Sequence, residues 1–226
     1  MTECFADRAD AGNRLAGALH DYAGRGDVVV LALPRGGVPV AYPVAYPVAR
    51  ALRAPLDILV VRKLGVPYEP ELAMGAIATG GAIHLQHAVI RSMGVTDAQL
   101  ADTIARETDE LKRREALYRG ARAPLPVEGR TAIVVDDGVA TGASMRVALQ
   151  ALRERHPARI IAAVPVAPAS ARYAFDTLAD AFVAVAWPLS LFGISQFYAR
   201  FEQTGDDEVR RLLDAAREPG GDLSSA

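Results

Sequence analysis

The 226-residue chain is 51% hydrophobic and 23% charged, an ordinary globular balance that indicates neither a fibre nor a disordered chain and suits one sizeable α/β domain with an appendage. Its 25 basic and 27 acidic side chains leave a net charge of −2, without the basic footprint of a nucleic-acid binder. The single cysteine, Cys4, excludes an intramolecular disulfide and a multi-thiolate metal site.

From the N-terminus, Met1 to Asp10 is polar and acidic, unlike a secretory signal. No apolar run approaches the ~18 residues that span a bilayer, so a cytoplasmic protein without a membrane partner is expected. Val28 to Leu33 is a continuous β-branched and leucine run between Gly26 and Pro34, the pattern of a strand buried on both faces. Ala41 to Val44 and Ala45 to Val48 repeat Ala-Tyr-Pro-Val. This duplication predicts a lengthened loop or a kinked helix start, because the two prolines oppose a continuous helix.

Ile58 to Val61 predicts a second strand. Met74 to Thr79 and Ala82 to Gln86 flank Gly80-Gly81 and predict a hairpin. Thr96 with Gln99 forms a capping box for a long helix closing at Gly120. Its narrow apolar stripe is Leu100, Ile104, Leu111 and Tyr118; Asp109/Arg113 and Glu110/Arg114 are pairs four apart, and the charges read as a solvated face.

Thr131 to Val135, Ile160 to Val166 and Ala181 to Ala186 predict three more buried strands, with a helix from Ala143 to Arg155 stopped by Pro157. The expected fold is a parallel twisted sheet flanked by helices. We expect a single domain over 1–226, with a hairpin-helix insertion at about 64–125 and a small aromatic C-terminal hood at about 187–217. A helix is predicted near Asp206, and 218–226 reads as a tail.

The informative stretch is Ile133-Val-Val-Asp-Asp-Gly-Val-Ala-Thr-Gly-Ala-Ser144. A strand delivers Asp136 and Asp137 to its carboxyl end, where open α/β sheets bind ligands. Gly138 to Gly142 then turns into a helix, so successive N–H groups and the positive helix end can face one anion. Thr141 and Ser144 add hydroxyls. A phosphate monoester suits this cradle, and adjacent carboxylates suit a diol or a Mg²⁺-bound sugar. A nucleoside-triphosphate loop would need a lysine before its Ser/Thr, and a dinucleotide fingerprint would need Gly-x-Gly-x-x-Gly; neither occurs here.

These residues resemble the type I phosphoribosyltransferases, whose motif for 5-phosphoribosyl-1-pyrophosphate (PRPP) is a hydrophobic strand, two acids, three variable residues and Thr-Gly followed by small or hydroxyl residues. Val134 to Ser144 follows that order. The resemblance implies that Asp136 and Asp137 hold the ribose hydroxyls. It places the 5′-phosphate on Gly138, Val139, Ala140, Thr141, Gly142, Ala143 and Ser144. It further implies a pyrophosphate loop after the first strand, here Arg35 with Gly36 and Gly37, and basic residues Arg62 and Lys63 that reach the pyrophosphate as an insertion closes. Arg62-Lys-Leu-Gly65 with Glu69-Pro-Glu-Leu72 also resembles a subgroup of predicted bacterial phosphoribosyltransferases.

Hypoxanthine-type members place an aspartate where this chain has Ala140; adenine-type members have alanine there. Among the aromatics after the last strand, Trp187 is the candidate to stack an acceptor base. His84 and His87 point in different directions on a strand end and do not suggest a metal site. His20 and His156 carry no signal.

The resemblance implies a Mg²⁺-dependent enzyme transferring phosphoribose to a nitrogen acceptor, with Arg35, Lys63, Asp136 and Asp137 central. PRPP and a small-molecule acceptor are its expected partners, and the chain is expected to act alone or as a homodimer. A PRPP-sensing regulator without turnover is the alternative. A phosphatase fits the phosphate loop but finds no nucleophile with a base.

Overall fold

The computed structural model describes residues 5–33, 44–120 and 122–201. In chain order its elements are α1 (Arg8–Ala18), β1 (Val28–Ala32), α2 (Tyr46–Leu52), β2 (Leu56–Ile58), β3 (Val61–Val66), β4 (Glu69–Ala78), β5 (Ala82–Leu85), α3 (His87–Ser92), α4 (Asp97–Arg119), β6 (Thr131–Val135), α5 (Ala143–Arg153), β7 (Arg159–Val166) and β8 (Ala181–Ala186). Five strands form a parallel sheet in the order β2-β1-β6-β7-β8; β3, β4 and β5 form a separate antiparallel sheet.

The continuous apolar runs are explained by burial on both faces of the parallel sheet. Alternate residues divide between two cores. Val28, Val30, Ile133, Val135 and Ile161 pack with Leu15, Val48 and Leu52 of α1 and α2. Val29, Leu31, Ala132, Val134 and Ile160 pack with Met145, Leu149 and Leu152 of α5. Each large aliphatic side chain so buried contributes about 1.5–3 kcal/mol.

The second strand departs from its expected position. It covers Leu56–Ile58, and the chain changes sheets over the next two residues. Leu59 N–H still donates to Ala32 O at 2.9 Å, whereas Val60 N–H donates to Thr79 Oγ1 at 2.9 Å and Thr79 N–H to Val60 O at 2.9 Å. Val61 therefore opens β3. An unbroken Ile-Leu-Val-Val run is apolar in either sheet, so hydrophobicity does not mark the transfer.

The hairpin is present: β4 and β5 pair antiparallel with Ala78 opposite Ala82, and Gly80 and Gly81 take φ of +83° and +78° at the turn. The capping box starts α4: Gln99 N–H donates to Thr96 Oγ1 at 3.3 Å, and Thr96 N–H donates to Gln99 Oε1 at 3.0 Å. Glu110 accepts from both Arg113 and Arg114. Arg119 departs from the solvated face, being almost fully buried against Asp57.

The second copy of the tetrapeptide repeat enters the first turn of α2, with Pro47 where a missing N–H costs least; Ala41 to Pro43 lie outside the described residues. So does the helix expected near Asp206. The helix α1, with Leu15 as its large apolar residue, gives little periodic signal, but Asp7 caps it by accepting from the N–H groups of Ala9 and Asp10 at 3.0 and 3.1 Å. Just ahead of it, Phe5 joins the far end of the chain: its N–H donates to Phe197 O at 2.7 Å and its O accepts from Ala199 N–H at 2.8 Å.

Candidate functional site

At the carboxyl end of β6 the chain must leave the sheet and enter α5 within a few residues. Asp136 N–H still reaches Ala163 O of β7 at 3.3 Å, and Val139 N–H reaches Val166 O at 2.9 Å. The turn is thus tied to β7 on one side. Gly138 is required for close approach, since a Cβ there would stand 2.9 Å from both Ile194 Cγ2 and Val166 Cγ1. Gly142 precedes α5 with φ +77°, and a Cβ there would meet Phe175 Cζ at 3.0 Å. The turn is therefore shaped by packing beneath it, while its outer surface faces solvent.

The whole stretch Asp136 to Met145 lines one cavity of about 360 Å³, with Leu33 and Ile194 as further walls. Val139 turns its side chain into the core, leaving its backbone to the cavity. Ala140, Thr141, Ala143 and Ser144 are exposed. Ala143 N–H donates to Thr141 Oγ1 at 3.4 Å. The start of an eleven-residue helix and the backbone of this turn form a place where an anion gains N–H donors and a favourable dipole.

Beside the anion cradle lie the two carboxylates. Asp137 N–H donates to Asp136 Oδ1 at 2.8 Å, and Tyr198 Oη donates to the main-chain O of Asp137 at 2.7 Å. Arg8 Nη2 stands 3.6 Å from Asp137 Oδ2. Withdrawal from water pushes the Asp136 carboxyl well above its ordinary range, and the neighbouring Asp137 charge adds to it. Burial likewise raises Asp137, to about 6, against the opposing attraction of Arg8. Two adjacent, desolvated acids are ready to accept hydroxyl hydrogens or a divalent cation, either of which favours their ionised form.

A second cavity, of about 410 Å³, adjoins the first through the shared residues Leu33, Ala143 and Ser144. Its floor is aliphatic, from Leu59, Val60, Val61 and Val147, and two cations, Lys63 and Arg114, stand in its wall. Lys63 Nζ donates to Glu71 O at 3.1 Å and to its carboxylate at 3.2 Å. Arg114 is held by Glu110 at 2.8 Å.

A model of the phosphoribosyl transferase domain matches residues 5–191. The chain belongs to the type I phosphoribosyltransferase family. Two curated relatives from Mycobacterium tuberculosis, strains CDC 1551 and H37Rv, both provisionally named as phosphoribosyl transferases, are 46% identical over 213 residues. The match covers 94% of this chain and 47% of each relative, so the chain spans about half the length of the curated relatives it matches. The crystal structure of TT1426 from Thermus thermophilus superposes with a TM-score of 0.80 at 39% identity, covering 94% of this chain and 98% of that one. The α/β fold with its five-stranded parallel sheet is that of the phosphoribosyltransferase family.

Within the phosphoribosyltransferase fold, the sequence-predicted residues are only partly brought together. Asp136 to Ser144 are gathered around one cavity. Lys63 faces the adjoining cavity, while Arg62 is turned to Glu107, donating to it at 2.7 and 2.9 Å. Trp187 meets Phe182 edge-on at 5.3 Å and lies under Arg172 at 4.8 Å, outside the lining of both cavities. Arg35, Gly36 and Gly37 lie outside the described residues. Local sequence pattern passed over Arg8, Tyr198 and Arg114, because each reaches its cavity or the acid pair from an element remote in the chain.

A magnesium ion fits this donor set in one way. Among the described residues no group of three or more His, Cys, Asp or Glu side chains could hold a metal, so Asp136 and Asp137 would share a cation with oxygens of a bound ligand, as Mg²⁺ sites commonly do. Also among the described residues, no helix is long and apolar enough to cross a membrane.

Proposed function

We propose that this chain binds PRPP and transfers its phosphoribosyl group to a nitrogen acceptor of the nucleobase type, releasing pyrophosphate. The observation that carries this reading is the joining, in a single cavity, of an anion cradle and an adjacent pair of acids. The 5′-phosphate would accept from N–H groups of the Gly138 to Ser144 turn, and Asp136 and Asp137 would accept from the ribose hydroxyls. The pyrophosphate would extend toward the Lys63 and Arg114 wall, and the family resemblance adds Arg35, Gly36 and Gly37 as its further ligands.

The chemistry asks for no covalent nucleophile. The bond from the anomeric carbon to pyrophosphate breaks as the acceptor nitrogen approaches, positive charge grows on the ribose, and negative charge grows on the leaving group. Lys63, Arg114 and Arg35 would stabilise the second charge, while Asp136 and Asp137 hold the sugar in place. Magnesium, when bound with PRPP, supplies further neutralisation of the pyrophosphate oxygens. The segment of about 64–125, which carries β4, the strand paired with that of Lys63, and Arg114, is proposed to act as the closing insertion, and about 187–217 as the hood on the acceptor side. A cytoplasmic location and action alone or as a homodimer belong to the same reading.

A regulator that binds PRPP without turnover is favoured by one observation: apart from Asp136 and Asp137, no titratable side chain lines the phosphate cavity among the described residues. A panel of nucleobases incubated with PRPP and Mg²⁺ and followed by pyrophosphate release separates the two. Release with any acceptor supports the transferase; PRPP binding without release across the panel supports the regulator.

A further inference from the structure

Two segments from opposite ends of the described chain meet beside the acid pair. Residues 5–8 run alongside residues 197–201, joined by the hydrogen bonds at Phe5 and by Arg200 N–H donating to Ala6 O at 3.1 Å. From the first segment comes Arg8, the first residue of α1. From the second come Tyr198, whose hydroxyl grips the main-chain oxygen of Asp137 at 2.7 Å, and Phe201, whose ring lies 4.0 Å from the Arg8 guanidinium carbon.

We propose that Arg8 is a positioning residue for the Asp137 carboxylate, held there by this clasp of the two chain ends, so that the clasp controls sugar binding; this rests on reading Asp136 and Asp137 as the ribose-holding pair. A cation at the first position of a helix is opposed by the helix dipole. Burying it costs more. Arg8 is only 12% exposed and Asp137 10%, and among the described residues Arg8 meets a carboxylate oxygen on one side and an aromatic face on the other, both of which favour the placement. The stack on Phe201 sets the guanidinium plane, and the ion pair then restricts the Asp137 side chain while Tyr198 restricts its backbone. Tyr198 and Phe201 also lie past residue 191, where the match to the family domain ends.

The test compares affinity for PRPP with Mg²⁺ against affinity for inorganic phosphate, which needs the Gly138 to Ser144 turn and not the acid pair. Arg8→Ala is expected to weaken PRPP about tenfold or more, the scale of one largely buried ion pair lost, with phosphate changed less than about twofold. Arg8→Lys, which keeps the charge without the planar stack, is expected to recover part of the loss. Tyr198→Phe keeps its ring packing and gives a several-fold loss of the same selective kind, carrying the test if Arg8→Ala does not fold. Asp180→Asn, a destabilising change at the remote start of β7 where Asp180 accepts from Ile160 N–H, should leave both affinities unchanged.

Parallel losses of PRPP and phosphate in the Arg8 and Tyr198 variants, or no loss in either, would overturn the positioning role while leaving the phosphoribose reading standing. Wild-type protein that binds phosphate but not PRPP would overturn the phosphoribose reading itself, and this assignment with it.

Discussion

Arg119 Nε donates to Asp57 Oδ1 at 3.1 Å with the two side chains only 2% and 1% exposed, which fastens the end of α4 to the strand β2. The remaining bonds of the pair are also met. Arg119 Nη2 donates to Ile58 O at 3.0 Å, and Asp57 Oδ2 accepts from Leu125 N–H at 2.9 Å. Removing one member of such a pair leaves a buried charge uncompensated. Arg119→Ala is therefore expected to destabilise the fold by about 3–5 kcal/mol, read as a lower denaturation midpoint in urea. An effect under about 1 kcal/mol would show that water reaches Asp57 readily.

The acid pair makes its own prediction. Asp136→Asn combined with Asp137→Asn removes the charged acceptors while keeping the size of both side chains. PRPP affinity measured by calorimetry should fall by at least about 100-fold, since two charge-assisted contacts are lost, and the fold should persist. Unchanged affinity in the folded double variant would remove the ribose assignment.

Because burial raises both carboxyls, the empty protein should gain stability on mild acidification. Asp137 titrates near 6 when folded against an ordinary 3.8, so between these values the folded form holds the proton that the unfolded form has lost. Stability from this group therefore falls as pH rises through about 4 to 6. Going from pH 7 to pH 5 should stabilise wild type over the double Asn variant by about 1 kcal/mol or more, with Asp136 acting in the same direction. Glu110 and Asp27 act oppositely: both are held near 2 by arginine partners, so their contribution is lost only as pH falls below about 4. Equal pH slopes for the two proteins in thermal unfolding would contradict the desolvation of the pair.

Two glycines with similar backbones separate strain from site geometry. Gly142 has φ +77° and Phe175 Cζ 3.0 Å from the position an added methyl would take, whereas Gly129 has φ +68° with nothing within 4 Å. Both Ala substitutions should cost about 1 kcal/mol for the left-handed backbone. Gly142→Ala should cost more because Phe175 must yield, and only that variant should weaken phosphate binding. Equal phosphate affinity in the two variants would show that the turn does not bind the anion.

Arg114 faces the adjoining cavity with Lys63. Arg114→Ala is expected to weaken pyrophosphate as a product inhibitor about tenfold, one charge-assisted contact, with smaller effects at high salt. Unchanged inhibition would place the leaving group elsewhere.

Much of this molecule is legible in one dimension. The runs Val28 to Leu33, Thr131 to Val135 and Ile160 to Val166 are apolar at nearly every position because a sheet covered on both faces demands it, and Thr96 with Gln99 marks a helix start through contacts within one turn. Asp136 to Ser144 is local for the same reason: an anion cradle is made by consecutive backbone groups, so its chemistry is written in consecutive residues. What required the tertiary structure is whatever depends on partners far along the chain. The passage from one sheet to another at Leu59 and Val60 is decided by Ala32 and Thr79, and the burial of Arg119 within a helix of otherwise surface charges is decided by Asp57. Arg8 and Tyr198 are brought to Asp137 from opposite ends of the chain. Local pattern encodes hydrogen bonds and periodicity within a segment; a contact between residues far apart in the chain is chosen by packing, which no spacing rule in the sequence records.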